Sequence, residues 1–300
     1  MLFLPHTVYI HIFKSMQDKS RQVWSLIIRS KSNLLDLNVK ELWRYKDLIR
    51  MFILRDFTAV YKQTILGPIW YIIQPLLTTI VYAVVFKGVP QMSSEGQPKM
   101  LFYMSGLLLW NYFSNNLIKN SETFYVNAGL FGKVYFPRLT VPIATTISGL
   151  LALFFQFLLL FITYLYFVYQ GTNLKIQPAL LLFPYLLFLI CILSMSIGII
   201  ISSLTTKYRD LKHLVNFGMQ LSMWITPVLY PISQFSESRL YHFIRLNPLS
   251  GILETFRYSI FGTGTVNGYD LLYSSVFTFI TLTVGILIFN KTEKHFIDNI

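Results

Sequence analysis

The stretch QPALLLFPYLLFLICILSMSIGIIISSLT, residues 177–205, contains no charged residue and is bracketed by Lys175 and Lys207. An α-helix rises about 1.5 Å per residue, so roughly 20 apolar residues cross a hydrocarbon core of about 30 Å. The stretch exceeds that length, and its polar residues are all uncharged. It therefore predicts a transmembrane helix.

Five other charge-free intervals repeat this pattern along the chain. The six predicted spans are residues 64–86, 101–118, 141–169, 177–205, 214–232 and 271–290. Of the 300 residues, 54% are hydrophobic and 13% are charged, whereas soluble domains carry about 25% charged residues. The second and fifth spans contain several Asn, Gln or Ser residues, which favours contact with other helices or a water-filled path over contact with lipid. Together these observations predict an all-α, polytopic membrane protein with about six transmembrane helices.

The positive charges indicate which side of the membrane each loop faces. Most of the 25 Lys and Arg residues precede residue 63 or lie in the loops predicted to be on the same side. Loops rich in Lys and Arg stay cytoplasmic, so both chain ends are predicted to be cytoplasmic. The net charge of +12 is thus assigned to membrane orientation, and no nucleic-acid partner is expected.

The sequence divides into three parts. Residues 1–63 are predicted to be a cytoplasmic or interfacial segment, residues 64–290 the transmembrane domain, and residues 291–300 a cytoplasmic tail. In the first part, apolar residues recur at helical spacings of three, four and seven: Leu35, Leu42, Leu48, Ile49, Phe52 and Ile53. Basic residues between them predict an amphipathic helix lying in the membrane interface. The alternative is an elbow that also contacts a cytoplasmic partner.

The long loop of residues 233–269 is predicted to lie outside. Residues 239–246 and 249–261 are each apolar on one face, which predicts two short amphipathic helices. The Asn247-Pro248 pair separates them, because a residue before proline disfavours the α conformation. The helices either lie on the lipid surface or form a re-entrant pair, which would need protein or water around its irregular backbone.

Several kinds of chemistry are disfavoured by what the sequence lacks. Gly132-Lys133 has Asn127 where the first glycine of a phosphate-binding loop would stand, so ATP binding by that route is not expected. The five His residues are scattered, and no metal site is predicted. The span centres carry no charge, which disfavours a proton- or sodium-coupled carrier. A membrane hydrolase would need positioned acids, bases or a metal, so no catalytic residue and no cofactor are predicted in this chain.

Aromatic residues are abundant, with 26 Phe and 19 Tyr. Those in the first, second and fifth predicted spans include Trp70, Tyr71, Tyr82, Trp110, Tyr112, Phe113, Phe217 and Trp224. Aromatic faces can stack on the C–H faces of sugar rings without requiring one hydrogen-bond pattern, which would suit a moving polymer. The alternative interpretation is helix packing and interfacial anchoring.

Four motifs occur in order along the chain. They are RDFTAVYKQTILGPIWYIIQPL at 55–76, LFGKVYFPRLTVP at 130–142, YRDL at 208–211 with PVLYP at 227–231, and Asn247-Pro248 with Arg257-Tyr258. Over residues 34–290 the chain resembles type-2 ABC transporter permeases that export polysaccharides and polyol phosphates, including O-antigen, capsule and teichoic acid exporters. Residues 1–32 match no part of that pattern.

The resemblance implies a transport subunit of the bacterial inner membrane. It implies a homodimer with two copies of a separate ATPase, which would hold ATP and magnesium, and a lipid-linked polysaccharide such as O-antigen as the cargo. The first and fifth spans would form channel walls, with the substrate channel lined by Trp70, Tyr71, Gln74, Tyr82, Phe217 and Trp224. Arg55, Tyr61 and Lys62 would meet the lipid diphosphate at a cytoplasmic gate, unless they serve only as positive-inside residues.

The resemblance also implies a coupling helix for the ATPase in residues 120–138. Ser121 and Glu122 would cap its start, and Leu130, Phe131, Val134 and Phe136 would form an apolar knob with Lys133 and Arg138 at its rim. The alternative for this loop is an ordinary positively charged connector. An outer gate would comprise Phe243, Asn247, Arg257 and Tyr258.

Two other functions remain open from the sequence. A type-2 ABC efflux permease for small or lipid-like molecules shares the topology. A membrane-embedded enzyme of glycan or lipid assembly would need a polar cluster near the membrane surface, and the sequence contains no evident one.

Overall fold

The computed structural model describes residues 39–62, 64–88, 94–208, 210–264 and 267–296, without the side chains of residues 39, 60, 61 and 294–296. Predictions for residues 1–38, including Leu35 in the amphipathic pattern, lie outside the described residues. The same holds for the end of the predicted tail, residues 297–300.

The described chain is helical, and we number its twelve α-helices in chain order. They are α1 (Val39–Arg44), α2 (Lys46–Tyr61), α3 (Trp70–Val85), α4 (Lys99–Ser121), α5 (Thr123–Val126), α6 (Ala128–Phe131), α7 (Thr140–Tyr169), α8 (Phe183–Thr205), α9 (Leu211–Ile225), α10 (Leu240–Arg245), α11 (Pro248–Phe261) and α12 (Gly268–Phe296). The all-α prediction is confirmed over this part of the chain.

Four helical segments are long and apolar enough to cross a membrane. They are Gly67–Gly88, which contains α3, then Thr140–Tyr169, Pro178–Thr205 and Gly268–Glu293. These correspond to the first, third, fourth and sixth predicted spans. The last helix continues to Phe296, so the start of the predicted tail at residue 291 is still helical.

The second predicted span is the central helix of the fold. α4 has 23 residues but is less apolar than those four segments, and it packs against α3, α7, α8 and α11. Its polar side chains find partners inside the protein: Asn116 donates to Ser194 Oγ at 2.7 Å, and Tyr112 donates to the Thr146 carbonyl at 3.1 Å. The prediction that this span faces other helices is confirmed.

Small residues let α8 approach α4 closely. Ser194, Gly198 and Ser202 recur every four residues, so they form one stripe on the helix. A Cβ atom at Gly198 would lie 2.5 Å from the Asn120 Cβ and 3.0 Å from the Leu117 carbonyl oxygen. Small-residue stripes of this kind support helix packing in membranes, where no hydrophobic force draws helices together.

The fifth predicted span is shorter than expected. α9 has 15 residues, about 22 Å of helix, and it ends at Ile225, seven positions before the predicted boundary. Thr226 is extended because Pro227 follows it and disfavours the α conformation at the preceding residue. The prediction of a continuous helix through residue 232 is therefore wrong in its outer third.

The outer loop contains both predicted helices, α10 and α11. Asn247 caps α11, and its side-chain oxygen accepts a hydrogen bond from the Leu249 amide at 3.0 Å. α11 packs against α4, α8 and α12 and is buried on nearly all sides. The lipid-surface alternative is therefore wrong for α11, because protein covers its apolar residues, whereas the re-entrant alternative stays a prediction.

The amphipathic pattern of the N-terminal region corresponds to α1 and α2. Phe52 on α2 is buried, and its ring lies 5.9 Å from that of Phe136. α2 packs along α7, with Leu48, Ile49 and Ile53 partly buried in the same cluster. The apolar face predicted to contact lipid is thus covered at least partly by the protein itself.

Candidate functional site

One face of α9 is apolar and exposed. Leu214, Phe217, Leu221 and Trp224 follow one another at spacings of three, four and three, and each is at least half exposed. Within the described chain, Met219 is the one residue of α9 that is buried. This side of α9 therefore needs either lipid or another protein chain as a partner.

A cavity of about 570 Å³ lies on the other side of α9. Its walls come from α4, α8, α9, α12 and residues 243–249 of the outer loop, where α10 ends and α11 begins, through side chains such as Trp110, Phe113, Ile197, Val215 and Phe277. It extends along α9 from Leu214 to Thr226, and its lining is mostly apolar. α9 is therefore only loosely packed against the rest of the chain.

The predicted channel residues lie on α3 and α9, two helices that both pack against α4. Trp70, Gln74, Phe217 and Trp224 are exposed. Tyr71 and Tyr82 are partly buried, with rings 6.2 Å from Phe155 and 5.9 Å from Phe86. The cavity behind α9 is lined by none of these six predicted residues.

The segment between α4 and α7, residues 122–139, folds into two single turns, α5 and α6, in place of one coupling helix. We call it the α4–α7 segment. Three phenylalanine rings of this segment, Phe124, Phe131 and Phe136, form a cluster with Phe289 of α12. Phe124 is stacked on Phe289 at a centroid distance of 4.6 Å. Aromatic pairs at such distances contribute about 0.5–1.5 kcal/mol each beyond burial.

This cluster changes the predicted coupling surface. Phe131 and Phe136 are 5% and 4% exposed, so their prediction as a surface knob is wrong. They are the side chains that hold α2, the α4–α7 segment and α12 together. Leu130 is partly buried. The exposed residues of the segment other than glycine are Tyr125, Val126, Lys133, Val134 and Tyr135.

The charged residues of the α4–α7 segment also have internal partners. Arg138 is 5% exposed and donates from Nη1 to the Glu293 carbonyl oxygen at 2.6 Å. Burial lowers the pKa of Arg138, and the neighbouring Glu293 carboxylate opposes that shift. The placement of Arg138 on an exposed rim is therefore wrong.

Glu122 does not cap a helix in the described chain. The α5 N-terminus has no side-chain cap, and Ser121 Oγ donates back to the Ile118 carbonyl at 2.7 Å. The Glu122 carboxylate instead lies 2.7 Å from Lys212 Nζ at the start of α9. The capping prediction is wrong because both side chains are engaged elsewhere.

The predicted lipid-diphosphate gate lies at the end of α2. Arg55 is exposed, forms an ion pair with Asp56 at 2.8 Å and lies over the Phe52 ring at 4.8 Å. Lys62 is exposed at the C-terminal end of this helix, and Tyr61 is its last residue, with a side chain outside the described atoms. The neighbouring carboxylate leaves Arg55 less free to bind an anion than the sequence suggested.

The predicted outer gate contains a buried latch around Arg257. Its guanidinium donates to the carbonyl oxygens of Pro227, Val228 and Tyr230, at 2.6 Å for Pro227 and 3.4 Å for Tyr230, and lies 3.8 Å from the Phe102 ring centroid. Arg257 thus fixes the turn that follows α9. Of the other three predicted gate residues, Phe243 is exposed, Asn247 caps α11, and Tyr258 is partly buried.

Sequence reasoning missed several charged partners. Glu254 lies 3.7 Å from Arg257 and is 7% exposed, and the i, i+3 spacing of the two on one helix was the available signal. Lys212 and Glu293 gave no comparable signal, because their partners are distant in sequence. Among the described residues, no three His, Cys, Asp or Glu side chains come together as a metal site.

The pattern of the ABC-2 type transporter family matches residues 47–261, well over half of the chain. The chain belongs to this family. The matched region extends from the start of α2 to the end of α11 and contains the α4–α7 segment, α9 and the Arg257 latch. The protein is therefore a membrane-embedded permease.

Curated relatives align with this ABC-2 permease over most of both chains. An O-antigen export system permease protein, RfbA, of Klebsiella pneumoniae is 30% identical, covering 83% of this chain and 93% of the relative. RfbA of Myxococcus xanthus is 24% identical over 87% of this chain and 98% of the relative. The polysialic acid transport protein KpsM of Escherichia coli is 20% identical over 83% and 95%.

Proposed function

We propose that this permease is the transmembrane channel subunit of an ATP-driven exporter that moves a lipid-linked polysaccharide, such as O-antigen, across the bacterial inner membrane. The observation that carries the proposal is the similarity, over 83% and 87% of this chain, to permeases named for O-antigen export. Both chain ends face the cytoplasm in this proposal, as the distribution of Lys and Arg predicts.

The channel is formed by two copies of the chain. The exposed apolar stripe of α9 and the exposed face of α3, which is mostly aliphatic with Trp70 at its start, support this, because neither is covered within the described chain. In the dimer these faces enclose a path lined by Trp70, Gln74, Phe217 and Trp224, with Tyr71 and Tyr82 behind them. Exposed aromatic rings hold sugar rings weakly and repeatedly, which suits a polymer in transit.

The cargo reaches the channel from the cytoplasmic surface. The lipid diphosphate is bound near the end of α2, where Lys62 is exposed and Arg55 lies about two helical turns before it. A cationic site at the membrane surface attracts anionic head groups. Arg55 contributes less than Lys62, because Asp56 already balances its charge.

Energy comes from two copies of a separate ATPase, which hold ATP and magnesium. They dock on the exposed part of the α4–α7 segment, where Val134 and Tyr135 are 55% and 61% exposed beside Lys133. A patch of apolar and aromatic side chains with a basic rim is a suitable anchor for a protein partner. Phe131 and Phe136 support that patch from inside.

Deletion of the gene tests the proposed function. We expect surface polysaccharide to disappear and lipid-linked glycan to accumulate in the cytoplasmic leaflet, measured by gel analysis of surface glycan and of extracted lipids. Restoration by the wild-type gene on a plasmid is the control. Unchanged surface glycan in a strain without a second exporter would refute the proposal and favour an efflux function.

The docking surface gives a second prediction. Val134→Asp combined with Tyr135→Asp should weaken co-purification of the ATPase by about tenfold or more, as expected for loss of an aromatic anchor. The permease should still reach the membrane, because both side chains are exposed. Tyr269→Asp, at an 81% exposed tyrosine at the start of α12, is the matched control and should bind the ATPase normally. Equal binding by both variants would place docking elsewhere.

A further inference from the structure

α9 is sparsely packed: within the described chain Met219 is its one buried residue, and Val215 and Met223 are partly buried against the same core cluster. It packs against α4 and α8 far more sparsely than α12 packs against α8. Between its ends, one face is exposed and the other borders the cavity of about 570 Å³. A helix with so few buried side chains can change its tilt at low energetic cost.

The outer end of α9 is held firmly. Thr226 Oγ1 accepts a hydrogen bond from Asn247 Nδ2 at 2.8 Å. The next residues of the chain present their carbonyl oxygens to the buried Arg257 guanidinium. Because α11 is enclosed by other helices, this end is fixed to the body of the protein and can act as a pivot.

The inner end of α9 has a different kind of attachment. Lys212 Nζ lies 2.7 Å from the Glu122 carboxylate and 5.8 Å from the Tyr125 ring centroid. The Lys212 and Glu122 side chains are 43% and 22% exposed, and an exposed ion pair adds little to the free energy of unfolding. Such a pair can nevertheless transmit a displacement, because it joins α9 directly to the α4–α7 segment.

We propose that the Glu122–Lys212 ion pair transmits movement of the α4–α7 segment to α9, which tilts about its outer end into the cavity behind it. The inference rests on the proposed function, in which an ATPase moves that segment. In this proposal Glu122 and Lys212 are positioning residues, with no contact to cargo or nucleotide assigned to them. Their role is to make the position of a channel wall depend on the position of the docking segment.

Charge reversal and charge exchange test the link in the complex with the ATPase. Glu122→Lys and Lys212→Glu should each lower polysaccharide export about five- to tenfold, within the usual range of coupling between sites. Membrane level, ATPase co-purification and ATP turnover should stay near wild type. The exchanged pair, Glu122→Lys with Lys212→Glu, should regain at least half of export because the ion pair is restored with its direction reversed. Lys207→Glu, a reversal at an exposed lysine just before α9, should export normally.

The outcomes distinguish a failure of the ion-pair link from a failure of the proposed export function. Normal export by the single variants, or no recovery in the exchanged pair, overturns the link. Loss of ATPase co-purification in the single variants also overturns it, because the residues would then be part of the docking surface. If gene deletion leaves surface glycan unchanged, the proposed function itself has failed.

The cavity supplies an independent variant. A Cβ atom built at Gly218 meets no described atom within 4 Å, and Gly218 lines the cavity. Gly218→Leu should therefore fold normally while filling space into which α9 must tilt, lowering export about fivefold or more. Gly268→Leu, at another open helical glycine that does not line the cavity, is the control. Normal export by Gly218→Leu would overturn the tilt into this cavity.

Discussion

Replacing Arg257 by methionine is expected to prevent the permease from accumulating in a folded form. The substitution leaves the carbonyl oxygens of Pro227, Val228 and Tyr230 without their donor, and leaves the Glu254 carboxylate without its ion-pair partner. Breaking a buried ion pair from one side costs about 3–5 kcal/mol. Against a total stability of roughly 5–15 kcal/mol, this loss is severe.

The packing around Arg257 explains why little can compensate. The guanidinium lies against the Phe102 ring, and α4 has Gly106 at the point of closest approach, where a Cβ atom would lie 2.5 Å from Arg257 Nη2. A shorter or uncharged side chain would leave both a gap and unsatisfied carbonyl groups, each of which adds to the cost.

Membrane level and thermal unfolding of the detergent-solubilised protein measure this effect. Arg239→Met is the control, since Arg239 is exposed in the same outer loop and should behave as wild type. Adding Glu254→Gln to Arg257→Met should recover part of the lost stability by removing the unpaired charge. Equal stability of Arg257→Met and Arg239→Met would contradict the buried latch.

The sequence predicts the transmembrane framework well because membrane burial forbids charge over a whole helix length. That rule located Gly67–Gly88, Thr140–Tyr169, Pro178–Thr205 and Gly268–Glu293 with errors of a few residues. It also flagged α4 as a helix that contacts other helices, since polar side chains in such a span need partners. Because the rule concerns the whole span of about 20 residues, a few polar residues within a span do not change the prediction.

Predictions that depended on a single partner were less reliable. Phe131 and Phe136 lie in a basic loop, and an apolar side chain there can bind another protein or pack inward; the sequence does not say which. Inward packing occurs because Phe124 and Phe289, on elements distant in sequence, complete the cluster. Hence Phe131→Asp is expected to destabilise the fold rather than to test docking directly.

The end of α9 was mispredicted for a local reason that the sequence did contain. Pro227 disfavours a helical Thr226, but the apolar composition of residues 227–232 outweighed that signal. The turn that follows Thr226 is the one whose carbonyl oxygens accept hydrogen bonds from Arg257. A charge-free interval is thus a good guide to burial and a poor guide to where the helix stops.

Replacing Gly198 by leucine is expected to disrupt the contact between α4 and α8. The new Cβ would lie 2.5 Å from the Asn120 Cβ and 3.0 Å from a backbone oxygen of α4, so the helices must separate. Separation would lengthen the hydrogen bonds that Asn116 and Thr205 make across this contact, at 2.7 and 3.2 Å. Overpacking of a well-packed interior costs about 1–3 kcal/mol, and a backbone contact cannot relax as a side chain does.

The matched comparison is Gly218→Leu, the same substitution in α9, where the glycine has open space around it. Leucine has a higher helix propensity than glycine by roughly 0.8 kcal/mol, so that variant should be as stable as wild type or slightly more stable. Gly198→Leu should lower the unfolding midpoint by about 5 °C or more and reduce membrane levels. Equal midpoints for the two variants would show that α4 and α8 can move apart freely. The close contact between α4 and α8, which holds the helix that leads into the α4–α7 segment, would then not be rigid.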